Sequence, residues 1–249
     1  MKAMILAAGV GSRLRPLTDS RPKALVEVAG RTLLEIALAR LRACGVREVI
    51  INVHHFPHRI AAYLANNDNF GMRIALSREE ALLDTGGGLK KAAWFFLENS
   101  SRAQEPFLLH NVDVISGIDL GRMLQFHSAH QALVTLAVQE RETSRCLLFN
   151  ERGELCGRRA REEQKAERAH GAKSAEELAF CGIHVISPRL FALMTEEGAF
   201  PIIPAYLRLA AQGERVLAFR ADEYYWRDLG RPESLALAEH DLRQGLFRP

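Results

Sequence analysis

Cysteine is scarce in this sequence, and neither sign of charge is in large excess. The four cysteines, Cys44, Cys146, Cys156 and Cys181, never fall in a C-x-x-C spacing. That excludes a zinc ribbon and a disulfide framework, and it reads as reduced, mostly buried thiols in the cytoplasm. The 33 basic and 30 acidic residues leave a net charge of +3, and aromatic residues are only 7% of the chain. No basic run is interleaved with aromatics, so no nucleic-acid partner is expected. No apolar run approaches the ~20 residues of a membrane span, so no membrane partner is expected either. The apolar start is followed at once by Arg13, Arg15 and Pro16, with no small-residue cleavage site. A buried strand is expected there, not a signal peptide. Repeats and a clear linker are also missing, so one domain over residues 1–249 is expected. A chain of this length buries roughly 70–75% of its unfolded surface, and its 48% hydrophobic content is ordinary for a globular protein.

What is present alternates. Residues 49–53 and 72–76 read as strands. Leu33, Leu34, Ile36, Ala37, Leu41 and Cys44 form a helical stripe that ends at Gly45. Pro57 opens another helix. Residues 89–97 read as a helix after a Gly86-Gly87-Gly88 turn, residues 107–110 as a strand, and Asp119 as an N-cap. This succession of βα units predicts a mostly parallel sheet with helices on both faces. Beyond Leu133 the pattern changes to strand-like runs at 133–138, 146–149, 155–157 and 178–186. These predict antiparallel additions over an acceptor pocket, followed by a last helix from Pro232 to near Arg243. The expected halves are residues 1–130 and 131–249.

Residues 1–25, MKAMILAAGVGSRLRPLTDSRPKAL, carry the densest signal. A buried strand feeds a loop with Gly9, Gly11, Arg13, Arg15, Arg21 and Lys23. Glycines let backbone N–H groups approach an anion, and fixed cations neutralise it. The loop has no Gly-Lys-Ser/Thr, so it is not the P-loop of the ATPases. Leu14 stands where a dinucleotide-binding G-x-G-x-x-G needs its third glycine.

The ordered set Gly9, Gly11, Arg13, Leu14, Pro16, Leu17, Thr18, Pro22 and Lys23 resembles the opening signature of the sugar-1-phosphate nucleotidyltransferases, or nucleotidyl-diphosphosugar pyrophosphorylases. The resemblance covers nearly all of the chain. It implies an α/β Rossmann-like nucleotide-diphospho-sugar transferase fold. The implied reaction is attack by a sugar 1-phosphate oxygen on the α-phosphorus of a nucleoside triphosphate, giving a nucleotide-sugar and pyrophosphate. Both reactants are anionic, so the site must cancel repulsion and hold an in-line geometry.

By this resemblance, the backbone of Ala7, Ala8, Gly9, Gly11 and Ser12 cradles the triphosphate. Arg13 stabilises the departing pyrophosphate, and Lys23 contacts the α-phosphate and the acceptor phosphate. Arg15 and Arg21 read equally well as phosphate contacts or solvated surface. Thr85, Gly86 and Gly87 belong to the segment that wraps base and ribose, and Gly182 in FCGIHVISP to the strand that contacts the acceptor sugar. Relatives often carry Ser or Thr where this chain has Cys181.

Asp113 directly follows an apolar run, which puts a carboxylate at the carboxyl end of a central strand, where open α/β sheets bind ligands. The family holds Mg²⁺ with an aspartate here and another in a W-x-D-x-G segment, matched by Trp226, Asp228 and Gly230. Mg²⁺ takes few protein carboxylates and completes its octahedron with phosphate and water. The usual neighbour of the first aspartate is glycine. Val112 stands there instead, and a changed pocket shape is expected.

Short length and the T-G-G-G loop look most like the N-acetylmuramate-1-phosphate uridylyltransferases and the mannose- and heptose-1-phosphate guanylyltransferases, which favours UTP or GTP. Base, sugar and oligomeric state are not encoded in side-chain identities. Two alternatives stay open, a non-catalytic nucleotide-sugar-binding regulatory subunit and a phosphocholine cytidylyltransferase of the same fold. Retention of Arg13, Lys23, Asp113 and Asp228 argues against the first. Asp113-Val114-Ile115 does not supply the D-x-D motif a glycosyltransferase would want. The chain ends without the hexapeptide-repeat β-helix of some relatives, so no acyltransferase activity is expected. His54, His55 and His58 lack the Glu and the single helix of a zincin and are expected as solvated loop histidines. The mixed-charge segment 158–173 is expected as a solvated hairpin or loop.

Overall fold

A computed structural model describes residues 1–98, 104–160, 167–168 and 175–247. The chain opens with β1 (Lys2–Leu6). Two 3-10 turns, Ser12–Leu14 and Lys23–Leu25, precede a short hairpin of β2 (Glu27–Val28) and β3 (Arg31–Thr32) that leads into α1 (Leu33–Ala43). Then come β4 (Glu48–Val53), α2 (Pro57–Asn66), β5 (Arg73–Arg78), α3 (Asp84–Lys91), α4 (Ala93–Leu97), β6 (Phe107–Asn111), β7 (Val114–Ser116) and α5 (Leu120–Ala129). The second half contributes β8 (Val134–Gln139), β9 (Arg145–Phe149), β10 (Leu155–Ala160), β11 (Glu167–Arg168) and the long β12 (Glu176–Ile186). It closes with α6 (Leu190–Leu193), α7 (Ile202–Ala211), β13 (Val216–Arg220), β14 (Trp226–Asp228) and α8 (Pro232–Arg243).

The central sheet is mixed. Strands β5, β4, β1 and β6 lie side by side and parallel. Strand β12 runs antiparallel to β6 and to β8, and β13 pairs parallel with β8. The other end of β12 pairs with β9, which continues into β10 and β11. The parallel βα half and the antiparallel additions are both as the sequence predicts.

The period of two in each strand sorts side chains to two cores. From β1, Ala3 and Ile5 face one core, with Val49 and Ile51 of β4 and the apolar stripe of α1. Met4 and Ile50 face the other, with Phe95, Phe107, Leu136 and Tyr206. Being covered on both faces explains why residues 3–6 of β1 and 49–51 of β4 are continuous apolar runs rather than alternating ones. Helix starts follow local chemistry. Thr32 Oγ1 accepts from the Glu35 amide at 3.1 Å, Asp119 Oδ1 accepts from the Arg122 amide at 2.9 Å, and Pro57 sits in the first turn of α2.

One expectation needs correction. The Gly86-Gly87-Gly88 run is not a turn before a helix. It lies inside α3, which starts at Asp84, and a break at Ala92 separates α4. The reason is packing. A Cβ on Gly86 would stand 2.3 Å from the Phe200 ring, and one on Gly87 2.3 Å from the Gly198 carbonyl. Within segment 158–173, residues 158–160 pair with β9 and Arg158 also pairs antiparallel with Glu167 of β11, while residues 161–166 and 169–173 lie outside the described residues. Among the described residues, no helix is long and apolar enough to cross a membrane.

Candidate active site

Parallel pairing decides where the site forms. Leu6 is in register with Asn52 on one side and Asn111 on the other, and Asn52 with Ser77. The chain segments leaving β1, β4, β5 and β6 therefore emerge together at one carboxyl edge. A cleft of about 540 Å³ opens there, lined by Ala8, Gly9, Val10, Lys23, Asn52, Glu79, Thr85, Asn111, Val112 and Asp113 among others.

The loop after β1 is held from behind. Leu14 is fully buried and anchors it, while Arg13 beside it is exposed. Thr18 is buried and its hydroxyl donates to the Gly11 carbonyl at 2.8 Å. Gly11 has φ 67°, and a Cβ there would meet Thr18 Cγ2 at 2.8 Å, so both backbone and packing call for glycine. Gly9 has open space around its missing Cβ and lines the cleft. Ser12 opens the 3-10 turn at the rim. Arg15 pairs with Asp19 at 3.3 Å on the exposed surface, and Arg21 is exposed.

Lys23 and Asp113 form an ion pair, Nζ to Oδ2. Asp228 comes to the same place by strand pairing. It stands opposite Val114 in the β7–β14 ladder, and the Leu229 amide donates to the Asp113 carbonyl at 2.7 Å. Arg13 reaches this point too. A Cβ on Gly230 would lie 2.5 Å from Arg13 Nη2 and 2.7 Å from Asp228 Oδ1. Gly230 is thus the gap through which the Arg13 guanidinium approaches Asp228. The four charged residues singled out in sequence are brought together.

The expected nucleotide-contacting residues divide. Ala8, Gly9 and Thr85 line the cleft. The Ala7 amide instead donates to Asn52 Oδ1 at 2.7 Å. The Gly86 and Gly87 amides donate to the Phe200 carbonyl at 2.9 and 3.2 Å, and Thr85 Oγ1 accepts from the Ile202 amide at 2.9 Å. These residues tie α3 to the start of α7. Gly182, at φ 74°, sits at an irregularity of β12 between Phe180 and His184. Its missing Cβ would lie 2.9 Å from Asn111 Nδ2, so it backs the cleft wall through Asn111.

Sequence reading missed the polar scaffold beside the cleft. Buried Asn52 donates to Glu79 Oε1 at 2.7 Å, and Glu79 Oε2 accepts from the Leu83 amide at 3.0 Å. A hydrophilic residue within an otherwise apolar run was the available signal, at Asn52 between residues 49–51 and Val53. Val112 has a second role, and the expectation for two histidines needs correction. Val112 is 3% exposed and belongs to the hydrophobic core as well as lining the cleft. His54 and His55 are not simply solvated: His54 Nδ1 contacts the Glu79 carbonyl at 2.9 Å and His55 Nε2 the Thr18 carbonyl at 3.2 Å. They pin the cleft loops. Among the described residues, no group of three or more His, Cys, Asp or Glu could hold a metal ion.

Burial sets the ionisation of nearby groups. Desolvation pushes His110, behind Asn111, down to about 4 and His184 down to about 3, so both are neutral. It pushes the Cys181 thiol up to about 12, which makes it inert. The four cysteines are free.

Comparison with known proteins matches this architecture. The profile of the family described as Nucleotidyl transferase matches residues 2–147. An N-acetylmuramate alpha-1-phosphate uridylyltransferase of Caulobacter vibrioides is 34% identical over 250 residues, covering 97% of this chain and 97% of its own length. A mannose-1-phosphate guanylyltransferase of Mycobacterium tuberculosis is 29% identical over 252 residues, covering 98% of this chain and 65% of its own. A Bacillus anthracis protein described as a glucose-1-phosphate thymidylyltransferase, solved with sucrose, shares the fold. It superimposes with a TM-score of 0.80 at 17% identity, covering 100% of this chain and 98% of its own.

Proposed function

The chain belongs to the nucleotidyl transferase family, and from that premise we propose that it joins UTP or GTP to a sugar 1-phosphate in a Mg²⁺-dependent reaction. The observation that carries this reading is the convergence of Lys23, Asp113, Asp228 and Arg13 at one carboxyl edge of the sheet. Relatives named as uridylyl- and guanylyltransferases support the choice of base.

In this proposal an oxygen of the sugar 1-phosphate attacks the α-phosphorus, the bond to the β-phosphate breaks, and pyrophosphate leaves. No protein nucleophile is needed, because the acceptor is already an anion. The loop amides of Ala8, Gly9, Gly11 and Ser12 hold the triphosphate. Lys23 sits between the α-phosphate and the acceptor phosphate and cancels their repulsion. Arg13 meets the charge that grows on pyrophosphate. Ala7, Gly86 and Gly87 act at one remove, by fixing the loops that carry these contacts. Gly182 shapes the sugar side through Asn111. Asp113 and Asp228 are hard oxygen donors on segments joined by the Leu229 amide to the Asp113 carbonyl, a pair of the kind that suits Mg²⁺. They would hold the ion, which when bound offsets phosphate charge. Residues 1–130 would serve the nucleotide and residues 131–249 the acceptor within one domain. Four free thiols support a cytoplasmic setting.

The test is a matrix of nucleoside triphosphates against sugar 1-phosphates, scored by pyrophosphate release with Mg²⁺ and with a chelator. Release is expected with UTP or GTP and is lost on chelation. No turnover anywhere in the matrix would defeat the proposal, and turnover that survives chelation would defeat its metal requirement.

A further inference from the structure

Arg141 lies just beyond β8, outside every role described above. Its guanidinium carbon stands 3.8 Å from the centroid of the Trp226 ring. Nη2 donates to the Phe180 carbonyl at 2.9 Å, and Nε is buried without a hydrogen-bond partner. Two other half-buried arginines hold carboxylates directly, Arg208 Nε reaching Glu196 at 2.7 Å and Arg227 Nη2 reaching Asp241 at 2.6 Å, while Arg40 Nη2 donates to the Ile118 carbonyl at 2.6 Å. The nearest hydrogen-bonding groups of Arg141 are instead the Phe180 carbonyl and the Cys181 side chain.

A desolvated guanidinium without a carboxylate partner is costly to keep. The indole face offsets part of that cost and fixes the plane of the group. A guanidinium carries five N–H donors, and it stays charged even where burial lowers its pKa, as it does here. A fixed planar fork with donors to spare matches a carboxylate or phosphate.

Its position says which substrate it would meet. Trp226 Nε1 donates to the Cys181 carbonyl at 2.8 Å, tying β14 to β12 beside Gly182. Arg141 therefore sits between the irregular part of β12 and the strand that ends in Asp228, and it is within electrostatic reach of Asp228. We propose that Arg141 receives an anionic oxygen of the acceptor sugar phosphate and so helps set which acceptor is used. This rests on the nucleotidyl-transfer reading above. The oxygen has two possible sources, the 1-phosphate that every acceptor carries or a carboxylate borne by the sugar.

The test compares wild type with Arg141→Lys and Arg141→Gln on the best neutral and the best carboxylate-bearing sugar 1-phosphate from the substrate matrix. If only one class is turned over, that class decides. In Arg141→Gln the acceptor KM should rise about tenfold or more. The nucleotide KM should move less than about twofold, and Arg141→Lys should recover part of the loss. A rise for both acceptor classes assigns the phosphate, and a rise for the carboxylate-bearing class alone assigns the sugar. An unchanged acceptor KM, or an equal rise in both KM values, overturns the proposal, since a merely structural role would disturb both substrates. If wild type turns over nothing, the nucleotidyl-transfer reading has failed on its own account. The receptor role is then read without turnover. In a Trp94→Phe background, Trp226 is the remaining tryptophan, and its emission is titrated with inorganic phosphate. A response in wild type that Arg141→Gln loses supports the receptor role, and identical titrations overturn it.

Discussion

Lys23 Nζ and the Asp113 carboxylate pair across 90 positions of sequence, with 13% and 14% of the two side chains exposed. The pairing exists because β1 and β6 are parallel neighbours, so the loops leaving them run over the same edge. Little exposure means little screening by solvent and salt, so each charge strongly fixes the other. A cation and a carboxylate are thereby preset where two anionic substrates would have to meet.

Asp113→Asn and Asp228→Asn should each lower turnover on the order of 100-fold or more while the fold survives. Asparagine keeps the size and one oxygen but loses the charge a hard cation needs. The double variant should be little worse than the worse single one, because the two act as a unit. Steady-state rates, Mg²⁺ titrations and thermal melts check this. Wild-type rates in either variant would remove the metal assignment.

Gly230→Ala should reproduce much of the defect of Arg13→Ala. The new methyl would stand 2.5 Å from Arg13 Nη2 and 2.7 Å from Asp228 Oδ1. Arg13 is a flexible, exposed side chain and can swing away, so the melting temperature should change little. Turnover should nevertheless fall, toward the roughly 100-fold loss typical of one missing electrostatic donor. Full activity in Gly230→Ala would show that Arg13 does not work from this position.

Val112→Gly should act first on stability. The side chain is buried in the hydrophobic core, and glycine adds backbone freedom to the unfolded chain. Loss of its burial and the added entropy together amount to about 2–3 kcal/mol. Urea melts at fixed pH measure it. A change below about 0.5 kcal/mol, with altered substrate preference, would restore the pocket role expected from sequence.

Stability should fall as pH drops from about 6.5 toward 4. His110 and His184 are buried neutral, with folded pKa values of about 4 and about 3 against 6.5 for the free side chain. Between those values the unfolded chain binds more protons than the folded one, so acid favours unfolding. Their full contribution is present above 6.5 and is lost as pH falls. His184→Gln keeps a hydrogen-bonding partner for the Tyr206 hydroxyl, which lies 3.0 Å from His184 Nδ1, and has no proton to gain. The difference in urea midpoint between pH 7 and pH 5 should shrink in that variant. An undiminished difference would assign the acid sensitivity elsewhere.

The sequence by itself determined the features that rest on local physics. Apolar runs at 49–51 and 107–109 become strands because a strand covered on both faces has no polar side. Gly11 is glycine because the chain turns through positive φ there. Asp119 caps a helix by bonding three residues ahead. The glycine-rich cationic loop and both aspartates were also visible, because a strand end and a short ordered motif are local facts. Other features depended on which residue, far along the chain, arrives alongside. Gly86 and Gly87 resemble a nucleotide loop in sequence, yet their amides go to Phe200, more than a hundred positions away. Val112 looks like a pocket wall and is also core, because the other half of the chain packs over it. His54 and His55 look solvated and instead hold carbonyls of neighbouring loops. Arg141 has no local signature, since its meaning comes from Trp226 beneath it and from the lack of a paired carboxylate among the described residues. Backbone conformation and strand period are properties of a few consecutive residues. Burial and partnership are properties of the packed chain, and only the tertiary structure decides them.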